Sequence, residues 1–222
     1  VLNQSFIEYI EEKGWMTMPF SLPVQVNPVK IGSKPKEIYY PQIADLPNQV
    51  WEQKINRSIA RQVQNLIDEQ AGNQPETVVE MIGTYEIKNN QREVLSLSLS
   101  NYAYHDRAAH GMTFIKSLTF DMKKERQVQL ADLFKPGSDY IARLSAIVRA
   151  QIDARKIQLI SDFTAIRPHQ DFYVADRTLV IYFQLYEITP YVFGFPFFPI
   201  SVYDIQDIID EAGPLGRLAE HN

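Results

Sequence analysis

Apolar positions recur along this chain at two spacings, and the spacing sorts the segments into helices and strands. From about Asn48 to Gln70, Trp51, Ile55, Ile59, Val63, Leu66 and Ile67 fall every three or four residues. That is the stripe of an amphipathic helix. Asn48 is placed to cap it and Gly72 to stop it. Tyr140, Leu144, Ile147, Val148 and Ile152 repeat the pattern after the Pro136-Gly137 break, with Ser138 or Asp139 as cap. Phe6, Ile7 and Ile10 predict a short helix ending at Gly14. Ser201 with Asp204 resembles a capping box for a last helix carrying Ile205, Ile208 and Ile209, ended by Gly213-Pro214.

Elsewhere the period is two. Residues 21–28 alternate between prolines and read as an edge strand, followed by a linker at 32–36 and a strand, Ile38–Ile43, closed by Pro41. Val79, Met81, Tyr85 and Ile87 alternate along the next strand, and Asn89-Asn90 signals a turn. Leu95, Leu97 and Leu99 then alternate with Ser96, Ser98 and Ser100, which predicts one buried face and one wet face. Phe114, Leu118, Phe120 and Met122 share a face that Lys116 interrupts, and the charged run 123–126 makes a hairpin tip. Three successive alternating strands with short links form an antiparallel meander. Phe172–Val174 and Thr178–Tyr186 are two more strands, the second apolar on both faces and therefore central. An aromatic loop, 190–199, follows. The expected fold class is α+β. An antiparallel meander sheet is covered by amphipathic helices, in two closely joined subdomains over residues 20–105 and 106–215.

Composition narrows the chemistry. The chain has 222 residues, 45% hydrophobic and 22% charged, enough for a substantial core. Its net charge of -5 opposes nucleic-acid phosphates and anionic lipid, and suits a basic partner. With no cysteine there is no disulfide frame, thiolate metal site or cysteine nucleophile. No apolar stretch approaches the roughly 18–20 residues of a membrane span. The acidic first residues, with Glu8, Glu11 and Glu12, are not a signal peptide. A natural start at Met16 or Met18, or a trimmed anchor, accounts for them.

Few residue groups suggest a reaction. His105, Asp106 and His110 lie in the polar turn Tyr104–Gly111 and could bind a metal. Zinc usually needs a third or fourth ligand, and no further histidine lies nearby, so a hydrogen-bonded loop is preferred. Asp121, Asp132, Asp162, Asp171, Asp176 and Glu187 sit near element ends. Glu187 stands out beside Tyr186, but a capped or salt-bridged role is preferred for it too. No G-x-S-x-G elbow, P-loop or G-x-G-x-x-G run is present. Tyr186, Tyr191, Phe193, Phe195, Phe197 and Phe198 are dense enough to form a binding face, with core packing as the plainer account.

Several segments resemble a known family. They are Tyr39-Tyr-Pro-Gln-Ile43, Ile55-Asn56, Gly83-x-Tyr-x-Ile-x-Asn89, Ala109-His-Gly111, Leu130-x-Asp-Leu-Phe134, Tyr173 before Leu179-Val-Ile-Tyr-Phe183, and Tyr186-Glu-Ile-x-Pro-Tyr-x-x-Gly194. Their order is similar to the bacterial two-part domain family of unknown function found in the extracytoplasmic part of the RsiV anti-sigma factor. The same module precedes the catalytic domain of PdaC-type peptidoglycan deacetylases. The resemblance implies an α+β fold and an extracytoplasmic, cell-envelope setting. It also implies a ligand such as lysozyme, a strongly basic protein, or peptidoglycan. The stretch 106–109 departs from the family's shorter, glycine-containing turn. In the deacetylases the chemistry lies in a separate metal-dependent domain, so deacetylation does not transfer. The expectation is a non-catalytic binding or sensory module without cofactor or metal. Its ligand-binding residues are expected to be Tyr104, His105, His110, Tyr186, Glu187, Tyr191, Phe193 and Phe195. A carboxylate- or His-dependent hydrolase and a structural domain are the alternatives.

Overall fold

The period-two segments build a six-stranded sheet in sequence order. Its strands are β1 (Gln25–Ser33), β2 (Lys36–Ala44), β3 (Val78–Gln91), β4 (Val94–His105), β5 (Met112–Asp121) and β6 (Arg126–Val128). The structure is a computed structural model describing residues 23–220. The expected helix near Phe6 and the first residues of the expected edge strand lie outside the described residues. Every neighbouring pair is antiparallel except β2 and β3, which run parallel over Lys36–Ile38 and Met81–Gly83. Parallel pairing needs a long crossover, and helix α1 (Gln49–Ala71) supplies it. A Cβ on Gly83 would run into the Ile38 side chain, so glycine permits this close approach. The fold is α+β, mainly antiparallel as expected, with this one parallel pair.

Local signals account for α1. The Asn48 side chain accepts from the Val50 and Trp51 N–H groups at 3.1 and 3.2 Å. Trp51, Ile55, Ile59, Val63 and Leu66 pack onto Leu95, Leu97 and Leu99 of β4 and Leu118 and Phe120 of β5.

Other details depart from the expected pattern. The expected linker at 32–36 is the tight turn between β1 and β2, with a cis Lys34–Pro35 bond. Pro41 does not close β2 but lies within it, opposite Pro28. Beyond Ile38, β2 has a partner on one side only, so a missing N–H is tolerated. The turn after β3 falls at Arg92-Glu93, both left-handed at φ 53° and 56°, and not at Asn89-Asn90. Two left-handed residues give a turn whose twist matches the strands. Asn90 instead exchanges two 2.8 Å hydrogen bonds with the Val24 backbone. Irregularities at Val78/Glu80 and Ile87/Asn89 shift the β3 register. Val78 is therefore buried, while Val79 and Ile87 face out.

The second half forms a three-stranded antiparallel sheet, β7 (Phe172–Ala175), β8 (Thr178–Tyr182) and β9 (Phe197–Ser201), with β8 central. Helix α2 (Tyr140–Arg155) is capped by Asp139, whose side chain accepts from the Ala142 N–H at 3.1 Å. It buries Leu144, Val148 and Ile152 in this second core and does not cover the six-stranded sheet. The β8 strand stops at Tyr182, four residues before the expected Tyr186, and the last three residues of the aromatic loop open β9. Ser201 caps only a 3-10 turn, Val202–Ile205. Gly213-Pro214 starts a helix, α3 (Pro214–Ala219), rather than ending one. Proline suits that first position because its missing N–H has no partner there anyway.

The two sheets meet on the serine face. Ser96 and Ser98 are 0% and 7% exposed, so the face expected to be wet is covered by the second sheet. The Ser96 Oγ pairs with Thr119 Oγ1 at 2.9 Å and accepts from the Val174 N–H at 3.1 Å. Tyr182 is fully buried, and its hydroxyl meets Ser117 Oγ at 2.9 Å. Burial, and then the Asp171 charge, push its pKa well above the ordinary tyrosine value. In the unfolded chain this phenol loses its proton at about pH 10, while the folded protein keeps it. Stability is therefore full below pH 10 and falls above it, by up to about 1.4 kcal/mol per pH unit from this group. Urea midpoints between pH 8 and 11.5 should fall more steeply for the wild type than for Tyr182→Phe. Parallel curves would contradict this.

Candidate binding site

The expected site residues come from the end of β4 and from two connections, one on each half of the chain. The first joins β4 to β5. Here the Tyr104 hydroxyl donates to the Ala108 carbonyl at 3.0 Å and closes the loop. The His105 Nε2–H donates to the Gln70 carbonyl at the end of α1, 2.8 Å away, and Nδ1 meets Thr77 Oγ1 at 2.6 Å. Both ring nitrogens are thus engaged in fastening the loop to the helix. Gly111 is buried against Tyr102, and a Cβ there would overlap the tyrosine ring.

The second connection runs from β8 to β9. The open edge of β5 receives it, because β6 pairs only with Thr119–Asp121. The Gln184 side chain accepts from the Ile115 N–H at 3.1 Å and donates to its carbonyl at 2.7 Å, imitating a strand partner. It also donates to Asp171, which pairs with Lys116 at 3.0 Å. Tyr186 takes a left-handed conformation, φ 63°, that turns the chain back toward His110. Glu187 accepts from the Gln184 N–H at 2.7 Å and pairs with Arg167, the salt-bridged role preferred from sequence.

Three of the expected residues then meet. The His110 and Tyr191 rings stack at 4.2 Å, and Tyr186 lies 5.5 Å from Tyr191 and 6.3 Å from His110. The Tyr191 hydroxyl donates to the Gly111 carbonyl at 3.0 Å. His110 Nδ1–H donates to the same carbonyl at 2.9 Å, leaving Nε2 to accept from the Tyr186 hydroxyl at 3.2 Å. Tyr186 is 46% exposed, Phe193 40% and Val192 93%. The result is an aromatic cluster ending in an exposed apolar tip. Tyr104 and His105 do not join it, and Phe195 lies instead against Phe197, 6.3 Å away. Val192 was not anticipated, since a single valine among aromatic residues carries no signal of exposure. Among the described residues no three His, Cys, Asp or Glu side chains are grouped to hold a metal. Nor, among them, is any helix long and apolar enough to cross a membrane.

Residues 36–113 match the family model described as Deacetylase PdaC, and residues 131–203 match that described as a protein of unknown function, DUF3298. The chain thus carries a match to each part of this two-part arrangement, in that order along the sequence. Two curated relatives come from Bacillus subtilis (strain 168). Peptidoglycan-N-acetylmuramic acid deacetylase PdaC is 24% identical over 134 residues, covering 57% of this chain and 28% of the relative. Anti-sigma-V factor RsiV is 26% identical over 188 residues, covering 78% of this chain and 65% of the relative. The chain thus spans just under two thirds of one relative and under a third of the other. Both resemblances suggest an envelope-associated domain. Solved structures of family members support the fold. One from Bacteroides fragilis has a TM-score of 0.66 at 12% identity, covering 88% of this chain and 97% of its own. One from Pseudomonas aeruginosa PAO1 has a TM-score of 0.62 at 14% identity, covering 91% and 98%.

Proposed function

We propose that this chain is a non-catalytic, extracytoplasmic binding module of the bacterial cell envelope, and that its ligand is a basic protein of the lysozyme kind. The observation that carries the reading is the cluster of His110, Tyr186 and Tyr191 with Val192 and Phe193 exposed at its tip. Exposed rings held by their own hydrogen bonds lose little freedom on binding and are common anchors of protein interfaces. The net charge of -5 favours encounter with a basic partner. Kinship with an anti-sigma factor is consistent with recognition of a protein. A hydrolase reading has less support. His110 is occupied by the Gly111 carbonyl and the Tyr186 hydroxyl, and Glu187 by Arg167 and a backbone N–H.

Titration calorimetry against lysozyme tests the proposal. The wild type should bind, more weakly as salt rises. Val192→Asp and Tyr186→Ala should each weaken binding by about tenfold or more, the scale of an interface anchor. Val192 is so exposed that its replacement leaves the fold intact. No binding by the wild type, or undiminished binding by both variants, would refute the reading.

A further inference from the structure

The face between the two sheets carries a row of hydroxyls, and nearly all are paired. Ser96 meets Thr119, Ser117 meets Tyr182 at 2.9 Å, and Thr84 meets Ser100 at 2.7 Å. Ser98 sits among them at 7% exposure with no side-chain partner among the described residues. Its Oγ opens onto the space beside it instead of being sealed in the core, so it is free to hydrogen-bond a molecule there. Ser98 lines a cleft of about 280 Å³ between the sheets. At the Ser96 end the sheets are joined by the Val174 N–H. Lining the cleft as well are Ser100, Glu86, Lys88, Tyr173 and Phe197. Glu86 and Lys88 form an ion pair, and the Lys88 Nζ lies 4.8 Å from the centre of the Tyr173 ring. The Tyr173 and Phe197 rings are 6.2 Å apart.

We propose that this cleft binds one ring of an uncharged sugar. Aromatic side chains offer an apolar wall to the C–H face of a pyranose. Ser98 and Ser100 can donate or accept, Glu86 accepts and Lys88 donates, which matches the mixed hydroxyls on the rim of a sugar. The two charges offset one another, so the cleft has no reason to select an ionised ligand. Its volume equals that of roughly nine waters, room for a single ring with a small substituent. The cleft shares no residue with the His110, Tyr186 and Tyr191 cluster, and the inference is independent of the protein-binding proposal.

Saturation-transfer NMR with glucose, galactose and N-acetylglucosamine, each at millimolar concentration, tests it, with glucuronate as the anionic comparison. Ring protons of at least one neutral sugar should receive saturation from the wild type, and more than those of glucuronate. Ser98→Ala should weaken binding by about five- to tenfold, the size of one hydrogen bond. Tyr173→Ala and Ser98→Val should abolish it. Ser98→Val fills the cleft with a residue suited to a strand and covers the case in which Tyr173→Ala fails to fold. Val192→Asp should leave sugar binding unchanged, so the two proposals fail separately. No transfer to any neutral sugar, equal transfer to glucuronate, or undiminished transfer in folded Ser98→Val would overturn the inference.

Discussion

Arg217→Ala is expected to lower the unfolding free energy by about 3–5 kcal/mol, as breaking one side of a buried ion pair does. Arg217 projects from α3 into the first half of the chain and is 8% exposed. Its guanidinium donates to Asp121 Oδ1 at 2.7 Å and to the carbonyls of Arg92, Glu93 and Ala212 at 3.2–3.3 Å. Asp121 is fully buried at the end of β5, and the same oxygen accepts from the Lys123 and Lys124 N–H groups at 3.1 Å. Removing the arginine leaves a buried carboxylate with only those two neutral donors and takes one donor away from each of the three carbonyls. Asp121→Ala should cost a similar amount by exposing the opposite imbalance. A double replacement, Asp121→Leu with Arg217→Met, should recover a good part of the loss, because attraction and desolvation nearly offset in such pairs. Urea unfolding followed by circular dichroism gives all these values. A loss under about 1 kcal/mol for either alanine variant would mean that water reaches the pair and relieves it.

Phe120→Ala is expected to cost about 3–5 kcal/mol, the transfer and cavity penalty of a fully enclosed phenyl ring. Phe120 is 0% exposed and meets Trp51 of α1 edge to face at 6.1 Å. It belongs to the core under α1, whereas Leu133 belongs to the core around α2. The two cores share a strand, because Val94 faces the second and Leu95 the first. With Arg217 and Ser96 also joining them, both halves should unfold together. Scanning calorimetry of Phe120→Ala should show one transition at lower temperature. Two separated transitions would show that the halves unfold on their own.

The candidate site was legible as a set of residue types and not as an arrangement. The sequence picks out a polar turn at 104–111 and an aromatic loop at 190–199 as unusual for their composition. It carries no sign that His110 stacks on Tyr191 or that Tyr186 reaches His110 across 76 positions. Those contacts follow from Gln184 pairing with the open edge of β5, and an open edge is a property of a whole sheet. His105 shows the reverse case. Beside Asp106 its residue type could serve a metal, the sequence favours a hydrogen-bonded loop, and only the fold shows that the end of α1 and Thr77 take up both its nitrogens.

Elements with signals in their own residues were determined by the sequence alone. The Asn48 cap, the stripe from Trp51 to Leu66 and the Gly72 stop define α1, and Asp139 with its own stripe defines α2. Leucines spaced by two on β4 define a strand and its inner face, because side chains alternate across any strand. Only the tertiary structure decided what lies against the other face. The serines that alternate with those leucines would be solvated on a lone sheet, but β7 and its neighbours bury them. Likewise the aromatic run became a strand because β8 offered it a free edge, and Gly213-Pro214 began a helix whose arginine had a buried carboxylate to meet. Periodicity reports how a segment meets its own backbone geometry. Burial of its outer face depends on residues dozens of positions away, and no local pattern encodes them.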